Sequence, residues 1–318
     1  PGLALEATGQ VGAAGTLDRL DFARVQAGRW LDAPVRLDGN GTVTIGAGRI
    51  DLAGLPAAPG GAGEGAPLVL AGATVRLTDR IALTDVAGRI EARPGRPGRM
   101  AARLNGAAPV TVQIEAGALR LTAEDAGAAL MAAGLFERAR GGTLDLVLRP
   151  DRGGYAGRIE MQRLRVTGMP VLAEILNAAS IVGLIDQLST GGLPFARAAA
   201  GLRLDGPLLT VTDGMAEGPS FGVTLAGRYD MAADRLEMDG VLSPLYILNG
   251  IGQVLTRPGE GMFGFTYRLS GPAARPRVTV NPLSVLAPGF LRNAFRAGPG
   301  DAEAGEREPA PGYVPGDR

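Results

Sequence analysis

Large apolar side chains recur at every second position along most of residues 1 to 281, in short runs separated by Gly, Pro and Asp-Gly turns. That period fits strands with one apolar face and excludes a helical bundle. Phe263, Phe265, Tyr267 and Leu269 fall on one face, with Gly264, Thr266, Arg268 and Ser270 on the other. The turn-like run Gly271 to Pro276 then leads to Val278 and Val280, which alternate with Arg277 and Thr279. Phe221, Val223, Leu225 and Tyr229 pair in the same style with Leu236, Met238 and Leu242 across a turn at Asp230 to Asp234, which predicts a hairpin. Leu144, Leu146 and Leu148 lead through Asp151-Arg152-Gly153-Gly154 to Tyr155, Ile159 and Met161, and weaker alternation runs back to Val43 and Ile45. The reading is mainly β: a long antiparallel meander.

Helical spacing is confined to a few places. Glu124-Asp125 ahead of a run of Ala, Leu and Met predicts an N-capped helix over about 126–140, ended by Gly141-Gly142. A second helix is expected over 170–188, where Glu174, Asn177 and Ser180 form a narrow polar stripe on an otherwise apolar cylinder. That stripe lacks the arginines of an interfacial helix, so a packed cap is the expected role. A third short helix is expected over 245–255. Three segments follow: a β-meander over 1–125, a mixed region over 126–296, and a tail over 297–318 whose Gly, Pro, Ala and Glu content predicts disorder.

Composition narrows the chemistry. The chain has no Cys, no His and no Lys; all 32 basic residues are Arg, set against 32 Asp and Glu. Thiol and amine nucleophiles, imidazole bases and thiolate zinc sites are thereby excluded, and no cofactor is expected. Ser180, Ser189 and Ser220 have no imidazole or Lys partner anywhere in the chain, so a hydrolase has no support. Zero formal net charge argues against a nucleic-acid partner. The Gly60 to Gly65 loop contains no Lys and completes no phosphate-binding pattern. Asp230 and Asp234 read as solvated turn carboxylates rather than as a cation site.

A dozen or so strands with one apolar face and only two or three helices leave that face to be covered in another way. Either the sheet closes as a barrel or sandwich, or it curls into an open, taco-like apolar groove that something else fills.

The motifs Gly218-Pro219-Ser220-Phe221-Gly222, Gly227-Arg228-Tyr229-Asp230, Ser243-Pro244-Leu245-Tyr246-Ile247-Leu248-Asn249-Gly250, Gly259-Glu260-Gly261-Met262-Phe263-Gly264-Phe265 and Asn281-Pro282-Leu283 through Pro288-Gly289-Phe290-Leu291-Arg292 resemble the C-terminal region of the AsmA-like proteins, nearest the YhdP branch. The resemblance covers about residues 126–296; residues 1–125 match in strand style alone. After Asn249 the chain departs from the pattern, with a shortened stretch before Gly259-Glu260-Gly261.

The resemblance implies a Gram-negative periplasmic protein, anchored to the inner membrane by a segment outside this sequence. Its expected work is to carry phospholipids between inner and outer membranes, with acyl chains in the apolar trough. On that reading the groove is lined by Leu144, Leu146, Leu148, Val223, Leu225, Phe263, Phe265, Tyr267 and Val278. Pro244, Asn249, Pro288, Gly289 and Arg292 would shape the cap, with Arg292 also a candidate for a lipid phosphate. The alternative is a scaffold for outer-membrane proteins, as proposed for the TamB branch, in which other envelope proteins pair with a sheet edge and no lipid is conducted.

Overall fold

The computed structural model describes residues 5–11, 17–52, 66–91, 97–136, 138–167, 170–178, 188, 191–219, 221–244, 264–273 and 275–281. The expected helix at 245–255, the tail at 297–318 and the candidates Asn249, Phe263, Pro288, Gly289 and Arg292 lie outside the described residues. Nineteen strands form one sheet. β1 (Leu5–Val11), β2 (Leu17–Ala27) and β3 (Leu31–Asp38) open it as an antiparallel meander. Two short strands, β4 (Val43–Ile45) and β5 (Arg49–Asp51), both face β3. They run parallel to β6 (Leu68–Arg76), so the sheet is mixed rather than purely antiparallel. The cause is local: β4 and β5 point the same way, so β6 returns in their direction after a crossover.

From β6 the meander continues antiparallel through β7 (Ala82–Ile90), β8 (Gly98–Leu104), β9 (Ala108–Glu115) and β10 (Ala118–Ala123). Helix α1 (Ala126–Ala132) and the two-residue β11 (Ala139–Arg140) precede β12 (Thr143–Asp151), and both of these strands lie against β13 (Gly154–Val166). Helix α2 (Pro170–Ala178) follows. Then come β14 (Leu193–Asp205), β15 (Leu208–Glu217), β16 (Phe221–Asp230), β17 (Arg235–Pro244), β18 (Phe265–Gly271) and β19 (Arg277–Asn281). The expected hairpin is β16–β17, turned at residues 231–234. Among the described residues, no helix is long and apolar enough to cross a membrane.

Helix α1 begins where the sequence places it, with the Asp125 carboxylate accepting from Ala128 N at 2.9 Å. It ends eight residues earlier than expected, at Ala132. Gly134 takes φ +71°, Gly134 N donates to Met131 O, and Leu135 N donates to Leu130 O, which satisfies the last carbonyls in a Schellman arrangement. Gly134 therefore stops the helix before Gly141, and Ala139–Arg140 is free to join the sheet.

The faces of the sheet are chemically opposite. Its inner face carries one continuous cluster of buried apolar residues, from Leu31 through Val86, Val112 and Leu144 to Leu269. The outer face carries Arg–carboxylate pairs: Arg36 opposite Asp21 at 2.8 Å, Arg268 opposite Asp239 at 2.7 Å, and Arg24 forked on Asp32 at 2.7 and 2.6 Å. The Arg24 fork and Gln26 hold the Asp32 carboxyl at a pKa of about 2. Exposed pairs of this kind contribute little each, but they keep the outer face wet and fix which side faces in.

The sheet curls strongly. Helix α2 follows β13 yet packs beside β19, the far end of the strand order, so it lies across the chord of the curl. Tyr229 on β16 has its pKa raised, first by burial and then by its hydrogen bond to Asp234, while Arg80 of the β6–β7 turn pulls the other way. Arg80 thus lies close to a strand far from its own in the order. Two devices produce the curvature. One is a set of left-handed residues inside strands, at Asp85 (φ +52°) and Asp213 (φ +48°) within bulges and at Arg163 (φ +53°) without a change of register. The other is inward-facing glycine where strands press together. Gly240 stands opposite Leu225 and Tyr267, and a Cβ there would fall 2.4 Å from Tyr267 Cζ and Oη and 2.1 Å from Thr224 O. Gly222, by contrast, has nothing within 4 Å of that position.

Gly240→Ala is therefore expected to cost about 1–3 kcal/mol by overpacking, read as a lower urea midpoint at unchanged slope. Gly222→Ala should leave the midpoint unchanged or slightly higher. Equal effects at the two positions would remove close approach as the reason for glycine at Gly240.

Candidate functional site

Where the curl is covered by α2, the apolar faces do not close completely. A cavity of about 280 Å³ remains between the helix and strands β13, β14, β15, β16 and β18. Val171, Leu172 and Ile175 form its helical wall. Ile159, Met161, Leu164 and Val166 supply the β13 wall, Val223 and Leu225 the β16 wall, and Tyr267 and Leu269 the β18 wall. Phe136, from the loop after α1, lines it as well. Phe195 also faces it, held edge-on against the buried ring of Phe221 with centroids 5.2 Å apart.

Left-handed residues decide which residues reach this space. Strict alternation would put Leu164 opposite in sense to Met161, yet both line the cavity, because Arg163 between them adopts a left-handed conformation and drops out of the pairing with β14 while the register is kept. In β15, Val211 and Gly214 both face inward across the register shift that contains Asp213. Each reverses the phase of the alternation.

The lining is hydrocarbon with one hydroxyl. Tyr267 Oη donates to Thr224 O at 2.6 Å, so its proton is committed to the sheet rather than to the cavity. Burial pushes its pKa well above the usual phenol range. Among the described residues no other titratable side chain lines the space. A surface of this kind attracts hydrocarbon and offers it no directional contact.

Of the sequence candidates, Val223, Leu225 and Tyr267 are brought together on this cavity. Leu144, Leu146, Leu148, Phe265 and Val278 share the inner face but not the cavity. Leu144 is buried against Met161 in the β12–β13 pair, Leu146 and Leu148 are half-buried beside it, and Phe265 and Val278 are half-buried on β18 and β19. Pro244 ends β17, opposite Phe221. Asp230 and Asp234 are engaged locally: Asp230 accepts from Ala232 N and Ala233 N at 2.9 and 3.0 Å, and Asp234 accepts from the Tyr229 hydroxyl. Phe136, Phe195, Met215 and the α2 residues were not among the candidates. The apolar stripe of α2 was the available signal, since a helix so apolar must lie on something.

Comparison with family models, with curated proteins and with solved structures finds no match for this chain. The cavity must therefore be read from its own chemistry.

Tyr267 links that chemistry to pH. Its folded pKa is raised, so the hydroxyl stabilises the fold fully below the unfolded value near 10, and this contribution is lost as pH rises from there toward the folded pKa. Tyr267→Phe is expected to lower stability at pH 7 by about 1–3 kcal/mol, because Thr224 O loses a donor. The same variant should flatten the loss of stability above about pH 10. A denaturation series from pH 7 to alkaline pH tests both, and an unchanged alkaline slope would clear Tyr267 of that role.

Proposed function

We propose that this chain is a lipid-shielding β-groove of the AsmA-like type, working in the periplasm of a Gram-negative cell and passing phospholipids between the inner and outer membranes. The observation that carries the reading is the apolar inner face of the curled sheet, which leaves an apolar-lined cavity where α2 covers it. The motifs shared with that family in residues 126–296 support it further. Each CH₂ of a lipid exposed to water costs about 0.8 kcal/mol, so a trough that keeps acyl chains covered removes most of the barrier to transfer without any chemical step.

Scale limits the load. A cavity of ~150 Å³ admits benzene, so this one has room for roughly ten carbon atoms in its present form. One acyl chain fits in part; a diacyl lipid requires α2 to move outward from β14 and β15. The helix is held there by apolar contacts alone among the lining residues, which a lipid chain can replace one for one.

The scaffold reading rests on a different observation. β1 and β19 end the sheet, each pairing with a single neighbouring strand among the described residues. Such ends accept a strand from another protein by β-addition.

Native mass spectrometry of the purified protein, with lipid analysis of the extract, separates the two. Bound phospholipid is expected on the wild type, and Leu225→Arg should abolish it while leaving the β-type circular dichroism intact. A lipid-free folded protein, or equal lipid on wild type and variant, overturns the carrier reading; crosslinks to an envelope protein through β1 or β19 would then favour the scaffold.

A further inference from the structure

One rim of the sheet gathers arginines that have no carboxylate partner. Arg140 on β11 stands directly opposite Arg165 on β13. Their neighbours Ala139 and Val166, also opposite each other, are buried, so the two arginines share the outer side. Arg138 lies one step further along, its carbonyl accepting from Thr167 N at 3.0 Å, and Arg163 is the left-handed residue of β13. All four arginines are exposed, and none forms an ion pair among the described residues. Arg165 donates to Gly191 O and Gly192 O at 3.1 and 3.2 Å, which orients it without neutralising it. Arg89 and Arg99 are the instructive contrast: they also face each other, but Glu91 pairs with Arg89 at 2.5 Å.

Like charges directly opposite on a sheet are unfavourable, so an uncompensated group of four points to an anion supplied from outside. Nearby carboxylates are few. Asp125 is engaged in capping α1, and Glu137 lies outside the described residues. Close by in the chain are two exposed large apolar residues, Leu135 at 64% and Met131 at 41%, carried by the end of α1, which packs against β11 and β13, and the loop after it. Phe136, next in that loop, lines the cavity from within, as do Leu164 and Val166 between and beyond Arg163 and Arg165.

We infer that this rim is a docking surface for an anionic bilayer: Arg138, Arg140, Arg163 and Arg165 meet lipid phosphates while Leu135 and Met131 insert among the headgroups. Charge complementarity selects a polyanion, and the exposed apolar pair favours a lipid surface, which takes up such side chains without the unstacking that insertion into a duplex costs. The inference deepens the carrier reading by placing the membrane contact at the wall of the cavity, where a chain entering beside Phe136 travels the shortest way.

Vesicle flotation tests it with the whole chain. Binding is expected to vesicles of about three parts phosphatidylcholine to one part phosphatidylglycerol, to be absent from pure phosphatidylcholine, and to fall with salt. Arg138→Ser with Arg140→Ser should weaken binding roughly 10- to 30-fold, at about fivefold per arginine. Leu135→Asp should weaken it independently, and both sites are exposed enough to spare the fold. Leu225→Arg should dock like the wild type while losing co-purified lipid. No binding, equal binding to both vesicle types, or binding unchanged in the Arg and Leu135 variants overturns the docking surface. If lipid still co-purifies in that event, the carrier reading survives it; docking without co-purified lipid would show the reverse.

Discussion

Covering one apolar face is the constraint on which the whole fold depends. Among the described residues, a sheet of nineteen strands with hydrocarbon on one side cannot be hidden by two short helices, so it is hidden largely by itself. Curling does this, and curling has local requirements. Side chains on the inside of a tight bend compete for space, which is why glycine occupies inner positions such as Gly240, where the Tyr267 ring lies over the backbone. Left-handed residues at Asp85, Arg163 and Asp213, the first and last within bulges, supply the bends in the strands themselves. Glycine inside a strand, as at Gly240, is thus a cost of curvature.

Closure is uneven along the sheet. Inner residues of β3 through β9, such as Leu31, Val75, Val86 and Val112, are buried against one another. In β14 to β16 burial is mixed: Phe195, Val211 and Phe221 are buried, whereas Leu202, Leu209 and Val223 are half-buried, and the cavity under α2 borders Phe195, Val211 and Val223. The helix substitutes for the missing opposite wall. Because its contacts with the lining are apolar and non-directional, they specify burial without specifying a unique partner, which is the property a hydrocarbon carrier needs.

Much of this was legible in the residues. Within hairpins, alternation placed Val223, Leu225 and Tyr267 on the inner side, and the Asp230–Asp234 turn and the Asp125 cap were visible from residue type. What alternation could not show is phase. A left-handed residue such as Arg163 leaves no mark in a hydropathy pattern, yet it turns Leu164 inward together with Met161. Phe136 and Phe195 reach the cavity only through tertiary placement. The parallel pairing of β4 and β5 with β6 depends on a crossover that no local signal encodes. Gly134 rather than Gly141 ended α1, because either could serve as a C-cap and the sheet claimed Ala139–Arg140.

The same partition that hides hydrocarbon also gives the exposed arginines their meaning. Several arginines of the outer face have a carboxylate across or along the strand, as Arg268 has Asp239 and Arg203 has both Asp205 and Asp151. What sets Arg138, Arg140, Arg163 and Arg165 apart is that they gather, without such partners, where β11 and β13 meet. That junction is also where the α1 loop exposes Leu135 outside and sends Phe136 inside, so charge, exposed hydrocarbon and the cavity wall coincide within a few residues. A fold that only had to bury its own core would gain nothing from that coincidence, whereas one that exchanges hydrocarbon with a charged surface requires it.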